Sequence, residues 1–307
     1  MSDHDGQLVA EYRTTINSSA KYISAMLIID NDKIVTADSK TSKIQLYMLE
    51  DFELINEITL KHVGWWGITD MTQVDSERFA VLVPGFWTRS DIRIFKLDEE
   101  KRMKKVGKFN TSRRSFGLCF QKGFFFVTIS PATLFRTSQN SCVKMYSENG
   151  ESKQVFTVDK ENNALFGNHL LKIYVDKNFR MFVCDVEKNE LIILKIDSIN
   201  REVTVLTRHN YLVMDITTKL DGTSFLATSQ RDGIVLLHAN GGWVFNNFLP
   251  CGKLEGKPLA VAFNDKDQQL LVATQRSSWY SPWSTLVFIV YDVKCSYSTD
   301  FRVTIEK

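Results

Sequence analysis

Short runs in which every second residue is apolar recur along this chain, and polar turns divide them at regular spacing. Lys43-Ile-Gln-Leu-Tyr-Met-Leu49 and Asp91-Ile-Arg-Ile-Phe-Lys-Leu97 alternate strictly. A period of two is that of a β-strand, whose successive side chains point to opposite faces. Asn31-Asp32, Gln121-Lys122-Gly123, Asn149-Gly150, Asp221-Gly222 and Asn240-Gly241-Gly242 supply the turns. The pattern also repeats as a unit. Asp30 to Leu49 reads as a turn, an apolar strand ending in Ala37-Asp38, a polar loop and an alternating strand. Phe179 to Ile196 and Gly222 to Leu237 keep that order, and weaker copies run from Arg78 to Leu97, Gly123 to Tyr146 and Gln269 to Tyr291. Six copies at a period of about 45 residues, each with about four short strands, predict an all-β chain. The architecture expected is a six-bladed β-propeller of four-stranded blades.

The unbroken repeat makes residues 1–307 a single ring rather than two domains. Inner A strands are expected to begin near Ile23, Ile68, Ser115, Leu170, Val213 and Pro258. B strands begin near Lys33, Arg78, Gly123, Arg180, Ser224 and Gln269, and C strands near Lys43, Asp91, Ser141, Glu190, Gly233 and Ser284. D strands follow Phe52, Arg102, Glu151, Arg201 and Trp243, which leaves one to be found. Residues 5–16, with Gln7 to Thr15 as the strand, are expected to complete the last blade, because an unclosed ring leaves open strand edges. The alternative is Phe301 to Lys307.

Composition narrows the class. Apolar residues at 44% suffice for a large core. No run approaches the roughly 18 apolar residues of a membrane span, so no membrane partner is expected. The start, Met1 to Arg13, lacks the basic-then-apolar pattern of a secretion signal. The five cysteines, Cys119, Cys142, Cys184, Cys251 and Cys295, are scattered and form no C-x-x-C pair. A cytoplasmic or nuclear protein without a disulfide framework is the expectation. The net charge of +2 implies no partner by itself.

The stretch Ile34-Val-Thr-Ala-Asp38, with Lys43-Ile-Gln-Leu-Tyr47 after it, resembles a blade of the NHL-repeat family. There a small or apolar residue and Asp end the second strand, a polar or basic residue opens the third, and I-x-[VL]-[FY] follows. Val183-Cys184-Asp185 with Leu191-Ile-Ile-Leu194 resembles it too. Val83, Ile129, Thr228 and Thr274 stand where the other four blades would carry that Asp. Residues 5 to 294 resemble the six-bladed propeller that ends tripartite-motif proteins. The resemblance implies a substrate-recognition module of a ubiquitin ligase, or, as for some members, an RNA-binding propeller. The ring finger, B-box and coiled coil of that family are not in this sequence, so the chain is not expected to be the ligase's catalytic part.

The two rims of such a ring are unlike. B–C and D–A loops share one, here called the upper rim; A–B and C–D loops share the lower. The upper rim collects Trp65 and Trp66, Phe86, Trp87 and Arg89, Arg113 and Arg114, and Phe135 and Arg136. It also collects Arg208 and Tyr211, Arg231, and Arg276 with Trp279, Tyr280 and Trp283. Summed over the loops, its charge is roughly +7 and that of the lower rim about −9. Aromatics interleaved with arginines combine stiff contact area with forked, stacking donors. That suits a peptide or protein partner, or single-stranded RNA stacked on the rings. The competing structural reading has the same tryptophans packing between blades.

Catalytic signatures are sparse. No G-x-S-x-G, H-E-x-x-H or Walker loop is present. Asp70 in Gly67-Ile-Thr-Asp-Met and Asp215 in Leu212-Val-Met-Asp-Ile occupy equivalent places on inner strands, with His169 and His209 nearby. Two carboxylates are too few for a calcium cage of about six or more oxygens. They are expected to hold backbone amides at the channel mouth; a metal-dependent hydrolase is the alternative. The reading is therefore a non-catalytic, monomeric recognition propeller without a cofactor. Protein or peptide ranks ahead of RNA, because a nucleic-acid domain usually has a pI above about 9 and this chain's is ≈ 8.2.

Overall fold

The computed structural model describes residues 7–18, 20–85, 88–130, 141–197, 202–228, 233–237, 244–249, 254, 256–276 and 285–296. The first strand, β1 (Gln7–Ser18), is followed by blade one: β2 (Ile23–Ile29), β3 (Lys33–Asp38), β4 (Lys43–Met48) and β5 (Leu54–Thr59). Blade two is β6 (Asp70–Gln73), β7 (Arg78–Val83), β8 (Asp91–Leu97) and β9 (Met103–Asn110). Blade three is β10 (Ser115–Gln121), β11 (Phe124–Ile129), β12 (Cys142–Ser147) and β13 (Ser152–Phe156). Blade four is β14 (Leu170–Val175), β15 (Arg180–Asp185), β16 (Glu190–Ile196) and β17 (Val203–His209). Blade five is β18 (Val213–Thr218), β19 (Ser224–Thr228), β20 (Ile234–Leu237) and β21 (Val244–Leu249). Blade six begins with β22 (Lys257–Asn264), β23 (Gln269–Arg276) and β24 (Thr285–Ser296). Its fourth strand is β1, antiparallel to β24 from Gln7 opposite Ser296 to Ser18 opposite Leu286. The chain is thus a six-bladed β-propeller, and most strands start within two residues of where the turn and alternation pattern puts them.

The core is divided rather than central. Six buried clusters lie one at each interface between consecutive blades. This placement explains the strand compositions. The second strands β3 and β15 are covered on both faces, and every residue in them is buried. The outer strand β9 is covered on one face only and shows buried, half-buried and exposed positions in turn.

The alternating strands β4 and β8 are also sandwiched, and a central polar position in each is buried: Gln45 is 2% exposed and Arg93 8%. Both side chains donate to neighbouring acceptors. Gln45 Nε2 donates to Glu57 Oε2 of β5 at 2.8 Å. The Arg93 guanidinium donates to the carbonyls of Lys61 and His62 at 3.0 and 3.2 Å.

Candidate functional site

The upper rim is knitted by side chains that reach from a B–C turn to the preceding D–A loop. Asp38 ends β3 and accepts the backbone N–H groups of Lys21, Tyr22, Lys40 and Thr41 at 2.7 to 3.3 Å. Asp185 ends β15 and accepts from Gly167 at 2.6 Å and Lys188 at 3.2 Å. The apolar-Asp signature of blades one and four is therefore a device for holding loops. In blades two and three, where it is missing, serines tie the B–C loop forward to the first strand of the next blade. Ser90 Oγ accepts from Gly85 and Ser115 N–H at 3.1 and 3.2 Å. Ser130 Oγ accepts from Leu170 N–H at 2.9 Å.

Seven of the upper-rim candidates have described side chains: Trp65, Trp66, Arg89, Arg113, Arg114, Arg208 and Tyr211. Phe86, Trp87, Phe135, Arg136, Arg231, Trp279, Tyr280, Trp283 and the side chain of Arg276 lie outside the described set. Trp65 is wholly exposed and Trp66 is 49% exposed. With His62, Val83, Pro84, Gly85, Thr88 and Arg89 they line a largely apolar cavity of ≈ 700 Å³ in blade two.

The tryptophan loop is held from below. Arg93 bonds the Lys61 and His62 carbonyls and pairs with Asp91 at 3.2 Å. Gly67 closes the turn by donating to the Gly64 carbonyl at 3.0 Å. It sits at φ +65 against the backbone of Ser39, where an added Cβ would lie 1.8 Å from the Ser39 carbonyl oxygen. Only glycine fits that position. Behind Trp66 the rings continue inward: its centroid lies 5.7 Å from Phe116, edge to face, and Phe116 lies 5.6 Å from His169. Such pairs stabilise by about 0.5–1.5 kcal/mol beyond area burial.

The arginines divide. Arg89 lines the cavity and Arg113 is exposed beside it in sequence with Arg114. Arg114 is half-buried at φ +56, and its N–H reaches the Gly85 carbonyl at 3.3 Å. Arg208, expected in a loop, lies in β17; its guanidinium pairs with Glu190 at 3.0 Å and donates to the Leu165 carbonyl at 3.0 Å. Tyr211 is half-buried against the cluster between blades four and five. Arg208 nevertheless stays exposed, whereas Tyr211 is partly covered.

The channel holds a constellation that pairing of carboxylates alone does not anticipate. Asp70 accepts the N–H groups of Met71 and, across the blade interface, Leu118, at 3.0 and 2.8 Å. Asp215 likewise accepts from Val261 of the next blade at 3.0 Å. Between them stands Lys172, whose Nζ is 2.6 Å from Asp70 Oδ1, 3.5 Å from Asp215 Oδ1 and 2.9 Å from the Ser24 carbonyl. One buried cluster thus touches all six blades. Burial raises the carboxyl of Asp70 to about 6 against the pull of Lys172, and raises Asp215 for the same reason. Burial works against the Lys172 charge, but Asp215 and Asp70 together outweigh it and the ammonium stays charged. The signal was present in the repeat: Lys172 takes the same place in His169-Leu-Leu-Lys-Ile as the two aspartates take in their strands.

Below this cluster the channel widens into a funnel of ≈ 570 Å³ that opens on the lower rim. The acidic character of that rim comes largely from turn formation. Asp75 accepts the N–H groups of Glu77 and Arg78, and Asp98 those of Glu100 and Arg102. Each also pairs with a nearby cation, Arg78 or Arg102. No group of three or more His, Cys, Asp or Glu side chains among the described residues is arranged to hold a metal ion.

Neither family models nor curated proteins match this sequence. Solved structures do resemble the fold. The PQQ-bound aldose sugar dehydrogenase of Streptomyces coelicolor superposes with a TM-score of 0.67 at 10% identity, covering 94% of this chain and 99% of that one. A luciferin-regenerating enzyme gives 0.58 at 9% identity, covering 90% and 94%. The β-propeller domain of Cps50 (Swd1) from Myceliophteria thermophila gives 0.56 at 6% identity, covering 89% and 83%. Two enzymes and a propeller domain thus resemble this chain, and at such identity the likeness extends to the β-propeller fold alone.

Proposed function

We propose that this chain is a non-catalytic recognition propeller that binds a protein or peptide segment on its upper rim, in the manner of NHL-like propellers. The observation that carries the reading is the presentation of Trp65. A wholly exposed tryptophan is held on a loop pinned by Arg93 and by a glycine seated against Ser39, beside an apolar cavity large enough for a side-chain anchor. Exposed aromatics on rigid supports are the usual high-energy contacts of protein interfaces, because little entropy is lost when they are buried. Arg89 and Arg113 add donors at the edge. The role within a ubiquitin ligase belongs to the same proposal and rests on the resemblance of blades one and four.

Peptides selected from a random displayed library on the wild-type protein provide the test. Trp65→Ala should weaken the selected peptides by about 2 kcal/mol, roughly thirtyfold, with an unchanged melting temperature. Selection of the same peptides at equal affinity by Trp65→Ala and Arg89→Ala would place the interface elsewhere.

A further inference from the structure

The funnel on the lower rim is independent of the upper-rim reading. Its floor carries two carboxylates and one ammonium, all at least nine-tenths buried as residues. Two carboxyl groups there face one ammonium, so the formal charges do not balance in a region where Coulomb interactions are poorly screened. Lys172 has three donors, directed at Asp70, Ser24 and Asp215, so none remains for an anion. Asp215 is the more weakly held of the two acceptors. Asp215 Oδ1 lies 3.5 Å from Lys172, longer than the roughly 2.7–2.9 Å of a full charge-assisted bond. Its side chain keeps 11% of its surface exposed, against 5% for Asp70. The walls offer apolar as well as polar surface, with Val74, Phe120, Tyr174 and Thr217 among the lining residues.

We infer that the funnel binds a small organic cation, a primary ammonium carried on an apolar body, with its head group against Asp215. The other charged lining groups are Asp75, Asp265 and Lys122 near the mouth. Asp75 is engaged by Arg78, and Lys122 lies over the Phe179 ring. The volume lies within the range of small-molecule sites, about 300–1,000 Å³. A bare metal ion fits less well, since two carboxylates already bonded to backbone amides fall short of the oxygens it needs.

The probe is benzylammonium, titrated calorimetrically into the full chain, with benzyl alcohol as the neutral isostere and potassium as the bare ion. Saturable binding and a raised melting temperature are expected for benzylammonium alone. Asp215→Asn should weaken it at least tenfold. Affinity should also fall between pH 7 and 5, as the floor takes up a proton in place of the cation. Thr217→Trp fills the funnel without touching the floor and should abolish binding, which keeps the test decisive if Asp215→Asn does not fold. No saturable binding up to about 10 mM, where any residual affinity is negligible, would overturn the inference. So would equal binding of benzyl alcohol, a response to potassium alone, or an undiminished response in a folded Asp215→Asn or Thr217→Trp protein.

Discussion

At the scale of single residues, the positions that matter most here are set by backbone needs. Gly67 is one: its left-handed conformation and its contact with Ser39 leave no room for a methyl group. Gly67→Ala should destabilise the fold by more than about 1 kcal/mol in a urea titration, since alanine at positive φ is strained whatever the space. Loss of the loop's anchorage should accompany it. Asp70 is another. Its folded pKa of about 6 lies above the ordinary 3.8. A raised carboxyl contributes stability that is full below the ordinary value and is lost as pH rises through the folded value. Stability from this group should therefore decline between about pH 4 and 7. Asp98 and Asp75 work the opposite way, because hydrogen bonds from nearby cations and amides hold them below the usual carboxylate range. Their contribution is present at neutral pH and is lost in acid. Asp70→Asn, which leaves Lys172 matched by Asp215 alone, should flatten the decline above pH 5 and leave the acid limb in place. Denaturant midpoints measured across pH would show a parallel decline in both proteins if the channel cluster were not responsible.

At the scale of elements, the six-blade parse was legible because turn residues separate the strands and because the sandwiched second strands are largely apolar between their ends. Lys33-Ile-Val-Thr-Ala-Asp38 and Arg180-Met-Phe-Val-Cys-Asp185 announce themselves in this way. Loop function was less legible. Ser90 and Ser130 tie their loops to the following blade instead of the preceding loop, so no fixed motif marks them. Arg208 looked like rim charge, but the neighbouring strand brings Glu190 to it, a contact no spacing rule reveals. Lys172 is not legible as part of a cluster because its partners are 102 and 43 residues away and meet only when the ring forms. The closing element offers a direct test. β1 supplies the outer strand of blade six and covers the edge of β24. Removal of residues 1–16 should lower the melting temperature sharply and favour association through the bared edge. An unchanged melting temperature would mean that β24 tolerates an open edge.

At the scale of the molecule, the Trp65 loop lies on the upper rim and the funnel opens on the lower one, with Lys172, Asp70 and Asp215 at the funnel's floor. Occupancy of the proposed funnel site should leave affinity at the proposed upper-rim site unchanged unless the ring itself deforms. The same scale separates a protein partner from RNA. Phosphate contacts release counterions, and several of them would cost on the order of a hundredfold or more in affinity between about 50 and 200 mM salt. Apolar burial around Trp65 is little screened. Titration of unstructured RNA pools should show weak, steeply salt-sensitive and sequence-indifferent binding. A tight RNA motif that survives physiological salt would make RNA the partner.

The pairing of β1 with β24 also has a consequence for the order in which this chain can mature. Glu11 and Lys294, which meet across that pair, are 283 positions apart. During synthesis at about 5–20 residues per second, the first strand must wait on the order of tens of seconds for its partner. Through that interval it is an unpaired β-segment on a growing chain, exposed to other nascent strands. Ring closure is a loop of maximal length, whose entropy cost grows only slowly with size but whose rate suffers from the remoteness of the contact. Maturation of this propeller should therefore be late, cooperative and sensitive to anything that occupies the first strand, and a circular permutant opened between two blades would remove that dependence.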